Sequence, residues 1–346
     1  MCIICEGKLF EDLTTELKVC GNVTILPYLQ QSITHLYCSY CPLTTLPELP
    51  QSLTHLDCSN CPSLQYLPKL PLSLTVLDCS YCPLTTLPEL PQSLTHLDCH
   101  NCPSLQYLPV FPQSLIHFNC SDCPLLTTLP ELPQSLTRLW CTDCPLLTTL
   151  PELPQSLVHL ECFNCPLLTT LPELPQSLID LDCSECPLLT TFPELPQSLK
   201  GLYCSNCPLL IKIPELPQSL IHLNCSNCPL LTTLPELPQS LTRLWCTDCP
   251  LLTTLPELPQ SLTYLNCSNC TSLIFIPESV VKHIPSDLLE TINSNYLKWK
   301  QEQTLHWFSS KSGLLYEDLI KKTWHPSRVV DWCWDTEEVK WFKSLR

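Results

Sequence analysis

The chain has 346 residues, of which 37 are Pro and 28 are Cys but only four are Gly. This composition, with 44% hydrophobic residues, differs from that of ordinary globular proteins and indicates that a local unit has been copied many times. The formal net charge of -16 excludes a general nucleic-acid binder, because affinity for the phosphate backbone depends on clustered Lys and Arg.

The first 32 residues are predicted to form an N-terminal cap that contains one degenerate repeat. No basic leader with a long apolar core opens the chain, and no stretch is apolar for eighteen residues, so we expect a cytoplasmic protein without a membrane partner. Its cysteines should remain thiols there. Cys2 and Cys5 are spaced like half of a small zinc module, but the further ligands are missing. After Leu17, Val19 and Asn22 occupy the places where later units have two cysteines.

Residues 33–279 contain twelve units of 20 or 21 residues that follow the pattern Leu-x-x-Leu-x-Cys-x-x-Cys-Pro. One complete unit, residues 136–156, recurs without change as residues 241–261. The units begin at Ile33, Leu53, Leu74, Leu94, Leu115, Leu136, Leu157, Leu178, Leu199, Leu220, Leu241 and Leu262. We number the positions within a unit from these residues.

Each unit is predicted to supply one short strand and one extended return segment. Alternation across Leu139-Trp-Cys predicts the strand, and Pro145 ends it because proline has no ladder donor. The two prolines of Leu-Pro-Glu-Leu-Pro exclude a long helix and favour polyproline geometry. Positions one, four and six should point inward: Leu136, Leu139 and Cys141. The analogues of Leu150 and Leu153 can also face inward. Because one unit cannot bury its apolar side alone, stacked units should form a curved solenoid about 60 Å long, with a parallel sheet on the concave face.

This period and pattern resemble the leucine-rich repeat family. The phrase LPELPQSL is similar to the repeats of secreted bacterial leucine-rich effectors. The cysteine-rich units and the tail TWHPSRVVDWCWD resemble leucine-rich repeat proteins of giant DNA viruses, the mimivirus-like group. The resemblance implies a horseshoe-shaped solenoid and, for a viral protein, a place in the host cytosol.

The paired cysteines admit three interpretations. Successive pairs are separated by 16 or 17 residues, a spacing also seen in zinc sites. However, both cysteines fall on positions that leucine-rich repeats bury, where a thiol packs as a small hydrophobic group. We expect interior packing, with no metal and no cofactor, while a zinc or iron–sulfur array and redox chemistry remain alternatives. Disulfides between adjacent strands are disfavoured, because the strand spacing of ~4.8 Å exceeds the Cβ separation that they prefer.

Positions three and five should face outward and form two rows on the concave face. Exposed Trp, Tyr and Arg are common at the energetic centres of protein interfaces. The predicted partner-binding residues are Arg138, Trp140, Arg243, Trp245, Tyr37, Tyr203, Tyr264, His96 and His117. The alternative is that the two Trp residues only cover neighbouring strands. The adjacent pairs His35 with His55 and His96 with His117 could bind metal or sense pH, but solvated strand histidines are the simpler interpretation.

Residues 280–346 hold six of the eight Trp, and the apolar spacing in 288–299 and 316–324 predicts short helices. We expect a small helical C-terminal cap, with a partner-recruiting tail as the alternative. The bacterial effectors carry a ubiquitin-ligase domain, for which this segment is too short. Cys333 has acidic neighbours, which should raise the pKa of its thiol, and Cys333 with His325 lacks a third catalytic group. We therefore predict no catalytic residues.

Together these features predict a monomeric, non-enzymatic solenoid that holds a protein partner on its concave face. The alternatives are a zinc-binding cysteine array and an effector of the ubiquitin-ligase type. The sequence does not identify the partner.

Overall fold

The computed structural model describes residues 15–19, 21–274 and 298. The described part contains thirteen strands of three residues each, one per unit. They are β1 Glu16–Lys18, β2 His35–Tyr37, β3 His55–Asp57, β4 Val76–Asp78, β5 His96–Asp98, β6 His117–Asn119, β7 Arg138–Trp140, β8 His159–Glu161, β9 Asp180–Asp182, β10 Gly201–Tyr203, β11 His222–Asn224, β12 Arg243–Trp245 and β13 Tyr264–Asn266.

The strands form a single parallel sheet in which each strand pairs with its neighbours in sequence. The register is the same throughout, so that Leu17 of the degenerate first unit pairs with Leu36 and Leu139 pairs with Leu160. The assigned strands cover positions three to five, one residue earlier than the predicted alternation across Leu139-Trp-Cys. The ladder nevertheless continues, because the backbone N–H of Cys141 donates to the carbonyl of Glu161 at 2.9 Å.

The core is one continuous stack of identical layers. As predicted, positions one, four and six are buried, except that Leu262 at position one of the last unit is partly buried, and the return-segment residues Leu150 and Leu153 are buried as well. Position nine and a buried leucine shortly after it complete each layer. In the unit at 136–156 these residues are Cys144 and Leu147, both fully buried. Because every layer is covered by the next, the sheet buries an apolar face that no single unit could bury.

A β-turn precedes each of the strands β2 to β13, and in ten of the twelve units another β-turn follows the second cysteine and leads into the return segment. The N–H of Leu147 donates to the carbonyl of Cys144 at 3.1 Å, which places Pro145 at the second turn position, where its fixed φ is favoured. The N–H of Leu136 donates to the carbonyl of Pro133 at 3.0 Å and closes the turn before the strand. Residues 15–19 and 21–274 include no helix.

Position eight has a left-handed backbone in every one of the twelve units, a feature that the hydrophobic pattern of the repeats does not predict. The φ angles lie between 53° and 61°, and nine of the twelve residues are Asn or Asp, which tolerate this conformation best. The exceptions are Tyr40, Tyr81 and Glu185. The turn at this position lets the backbone leave the strand while its N–H still bonds to the next unit, as from Asp143 to the carbonyl of Phe163 at 3.0 Å.

The serine that ends each unit also has a structural role. Across the described repeats, eleven of these hydroxyls donate to the position-one carbonyl of the same unit, one turn back along the solenoid, at 2.6 to 2.7 Å. Ser156, for example, bonds to Leu136 at 2.6 Å. The invariance of this serine within the chain therefore follows from a hydrogen bond between successive turns of the solenoid.

Residues 15–19 and 21–32 of the predicted N-terminal cap are described and include β1. Apart from residue 298, the predicted C-terminal cap at 280–346, with its predicted helices at 288–299 and 316–324, lies outside the described residues. In the part of the chain that is described, no helix has the length and apolar character needed to cross a membrane.

Candidate functional site

Side chains at positions three and five point away from the core and form two parallel rows across the strands. We call this surface, made by the outward residues of β1 to β13, the sheet face. In most strands the middle residue is buried while its two neighbours are partly exposed, as for His159, Leu160 and Glu161. The nine residues predicted to bind a partner all lie on this face.

The first predicted centre of binding lies on β6 and β7. Arg138 is exposed and Trp140 is partly exposed. The ring of His117 on β6 lies edge-on to Trp140, with centroids 6.3 Å apart. A guanidinium beside an indole offers one charged and one apolar surface to the same ligand.

The second centre repeats this arrangement on β11 and β12. Arg243 is exposed, Trp245 is partly exposed, and the His222 ring lies 6.5 Å from Trp245 at an angle of 73°, against 74° in the first centre. Tyr264 on β13 extends the second centre, with its ring 5.3 Å from Trp245. His222 was not among the predicted binding residues, although its spacing from Trp245 matches that of His117 from Trp140.

Tyr203 lies between the two centres and joins the second. Its hydroxyl is 3.3 Å from Nδ1 of His222. Gly201 on the same strand makes room, because a Cβ there would lie 2.6 Å from Oδ1 of Asp180 and 3.0 Å from the Tyr203 ring. Tyr37 lies far from this cluster, at the other end of the sheet, where the Lys18 ammonium is 5.4 Å from its ring centroid.

The predicted histidine pairs are in contact. His35 and His55 are stacked with centroids 4.2 Å apart, and His96 meets His117 edge-on at 4.4 Å. Thr54 Oγ1 lies 2.9 Å from Nδ1 of His55. Partial burial, together with the neighbouring His35 and His96, lowers the pKa of His55. Burial, His96 and Arg138 lower the pKa of His117, so both rings favour the neutral form.

An acidic column lies beside these histidines at position five. Oδ1 of Asp57 accepts hydrogen bonds from the backbone N–H and hydroxyl of Ser59, and Asp78 has the same arrangement with Ser80. Burial raises the pKa of Asp78, and the nearby Asp98 and Asp57 add to the effect. Hydrogen bonds from the serine two residues later therefore fix these carboxylates, which lie in the row next to the position-three histidines.

The paired cysteines make hydrogen bonds to the backbone. Among the described units, eleven position-nine thiols donate to the position-six carbonyl of the preceding unit at 2.9 to 3.4 Å. Several position-six thiols donate to the next strand, as from Cys79 to the carbonyl of Asp98 at 3.4 Å. Each of these eleven position-nine thiols thus bonds to a carbonyl that accepts no hydrogen bond from the neighbouring strand.

Burial raises the pKa of most of these thiols and so makes them poor nucleophiles. Hydrogen bonds from neighbouring thiols instead lower the pKa of Cys61, Cys144 and Cys270. All 24 cysteines of the Cys-x-x-Cys pairs are buried, and none of them forms a disulfide. Burial raises the pKa of Cys102 and Cys228 to about 11 and the pKa of Cys165 and Cys207 to about 12. Because the thiolate is the reactive and metal-binding form, these environments favour the packing interpretation.

Within residues 15–19 and 21–274, no three side chains of His, Cys, Asp or Glu are grouped in a way that would hold a metal ion. Cys333 and His325, which were considered for catalysis, lie outside the described residues, and so do Cys2 and Cys5.

Comparison with known proteins agrees with this geometry. The family model described as Leucine Rich Repeat matches residues 73–94 and 219–241. The solved structure of YopM, a leucine-rich effector protein from Yersinia pestis, is similar with 34% sequence identity and a TM-score of 0.63, covering 78% of this chain and 82% of YopM. No curated protein sequence matches this chain significantly.

Two other solved structures are similar at lower identity. The functional domain of InlJ from Listeria monocytogenes, which includes a cysteine ladder, has 24% identity and a TM-score of 0.50, covering 76% of this chain and 62% of that one. CroV588, a circular leucine-rich repeat protein, has 23% identity and a TM-score of 0.39, covering 75% of this chain and 54% of its own. The viral source that the cysteine-rich units and the tail indicate stays a prediction.

Proposed function

The chain belongs to the leucine-rich repeat family, and on that premise we propose that it is a non-enzymatic scaffold whose sheet face binds a protein partner. The observation that carries the proposal is the duplicated centre of His, Arg and Trp. Arg138 and Trp140 recur as Arg243 and Trp245, five strands away or about 24 Å along the sheet.

The residue types support protein recognition. Trp, Tyr and Arg dominate the energetic centres of protein interfaces because they combine a large apolar area with directional polar groups. On this chain they stand on a continuous hydrogen-bonded sheet, so little conformational entropy would be lost on binding. Tyr203 and Tyr264 add aromatic area around the second centre.

The source of the partner is part of the proposal. Similarity to a bacterial effector supports a partner that belongs to a host cell, and the predicted viral origin would lead to the same expectation. The acidic surface supports a protein rather than a nucleic acid.

The test compares two variants that each carry four alanines. The first replaces Arg138, Trp140, Arg243 and Trp245 on the sheet face. The matched control replaces Glu131, Glu152, Glu236 and Glu257, which are exposed in the return segments of units that carry or adjoin the two centres. Both variants should keep the circular dichroism spectrum of the parent chain.

We expect the sheet-face variant to lose the proteins that the parent chain captures from a host-cell lysate, while the control retains them. For a purified partner, loss of these side chains should weaken affinity roughly thirtyfold or more. Unchanged capture and affinity in the sheet-face variant would contradict the proposal.

A further inference from the structure

A groove follows the edge of the sheet where the strands turn into the return segments. It is shallow and open, runs past positions eight and ten of the last six units from Asn164 to Asn269, and has a volume of about 820 Å³. We call it the edge groove. It is separate from the sheet face, because none of its lining residues belongs to a strand.

The lining residues of the edge groove form two rows, and the row at position eight is polar, with negative charges only. Position eight supplies carboxamides and two carboxylates, Glu185 and Asp248, and the lining contains no Lys, Arg or His. Within the described residues, the side chains of Glu185, Asn206 and Asn227 make no hydrogen bond or ion pair. In contrast, Asn269 Nδ2 donates to Oδ1 of Asp248 at 2.8 Å.

The second row of lining residues, at position ten, is apolar, and an exposed leucine lies next to each of its prolines in the chain. Position ten contributes a proline in five of the lining units. Each of these prolines is followed by a leucine whose exposure lies between 38% and 46%, although leucine is usually buried. The exposed leucines are Leu167, Leu188, Leu209, Leu230 and Leu251.

The walls of the edge groove are preorganised. The left-handed turn fixes the backbone at position eight, and the proline at position ten has a restricted φ. The N–H of position eight also bonds to the next unit, as from Asn206 to the carbonyl of Ser226 at 2.8 Å. A ligand would therefore meet a surface that already has its bound shape.

From these features we propose that the edge groove binds an extended segment of a partner protein in which Lys or Arg alternates with apolar residues. Successive side chains of an extended peptide point to opposite sides. Basic side chains would then meet Glu185 and Asp248, and apolar ones would pack on the prolines and leucines. Five steps between units span about 24 Å, which corresponds to about seven residues of extended peptide.

The test measures fluorescence anisotropy with a labelled heptapeptide of alternating Lys and Leu and with a second peptide in which Glu replaces Lys. The groove variant combines Glu185→Gln with Asp248→Asn, which removes both charges while Asn keeps the tolerance for a left-handed backbone. The matched control combines Glu152→Gln with Glu236→Gln in the return segments. A second groove variant, Leu209→Ser, tests the apolar side.

We expect the Lys–Leu peptide to bind the parent chain and the control with equal affinity, and the groove variant about tenfold more weakly. Leu209→Ser should also weaken binding, and the Glu–Leu peptide should not bind. No binding of the Lys–Leu peptide would overturn the proposal. Equal losses in the groove and control variants would also overturn it, because they would indicate general attraction to an acidic protein. The four-alanine sheet-face variant should bind the peptide normally, which separates this proposal from the proposed function.

Discussion

At the scale of the residue, backbone conformation explains choices that hydrophobic patterning does not. Position eight is left-handed in all twelve units from Ile33 onward, yet it is occupied in one of them by Glu185, whose side chain makes no hydrogen bond or ion pair among the described residues. A left-handed conformation costs an L-residue roughly 1 to 2 kcal/mol, and Asn reduces this cost through its short polar side chain. Position eight is therefore a place where the chain is not optimised for stability.

Glu185→Asn should accordingly stabilise the chain by about 1 kcal/mol. Chemical denaturation monitored by circular dichroism checks this value. The matched control is Glu152→Asn, which makes the same change at a residue without positive φ and should leave the free energy of unfolding nearly unchanged. If Glu185→Asn gave no more stability than the control, the left-handed turn would not be a source of strain.

Histidine titration tests the packing of the sheet face. The pKa of His55 is lowered from 6.5, chiefly by burial and then by His35 and His96. Since the unfolded chain then binds more protons than the folded chain just below pH 6.5, the His55 contribution to stability is present above that pH and is lost as pH falls.

In nuclear magnetic resonance titrations, His55 should titrate below 6.5. Replacing its stacked neighbour in His35→Gln should raise the pKa of His55 toward 6.5 without restoring it fully, because burial remains. A pKa of His55 at or above 6.5 in the parent chain would contradict the stacked geometry.

At the scale of the element, successive turns of the solenoid are joined by polar bonds as well as by leucines. Ser156→Ala removes the hydroxyl that donates to Leu136 at 2.6 Å and leaves that carbonyl without its side-chain donor. We expect a loss of about 1 kcal/mol in the free energy of unfolding. Ser63→Ala serves as the control, because Ser63 is exposed. Equal effects of the two substitutions would show that the serine bond contributes nothing.

The sequence predicted the layers of a unit well, because burial has a strict period. Leu136, Leu139 and Cys141 are inward as expected, and Arg138 and Trp140 are outward. The left-handed turn was not predicted, although Asn or Asp recurred at position eight as its signal. The serine bond was also not predicted, because a hydroxyl that bonds between turns of the solenoid does not affect the hydrophobic periodicity of the sequence. The edge groove could not be inferred from one unit, because it exists only where several units are stacked.

At the scale of the whole molecule, repetition makes the fold modular. Removing residues 136–240 would join unit 115–135 directly to unit 241–261, which is identical to the unit that now follows it. The backbone bond from Thr137 to the carbonyl of Ile116 would be replaced by one from Thr242, which has the same neighbours. Stability in such arrays depends mainly on contacts between nearest neighbours.

The shortened chain should therefore fold into a stable solenoid with a single centre of Arg and Trp. Circular dichroism and thermal unfolding would show a native-like spectrum and a cooperative transition. A deletion that ends within a unit, such as removal of residues 146–240, provides the control and should disrupt the stack. Aggregation of the in-register deletion would contradict the modular description.

The central claim is that the paired cysteines form the interior of a leucine-rich repeat solenoid by bonding to its backbone. The most direct measurement is alkylation of the native chain, mapped by mass spectrometry and combined with elemental analysis of the same metal-free preparation. We expect the 24 paired cysteines to be protected in the native chain, all 28 cysteines to react in denaturant, and zinc and iron to be absent. Rapid native alkylation of the pairs, or several metal ions per chain with thiols that react only after chelation, would contradict the account.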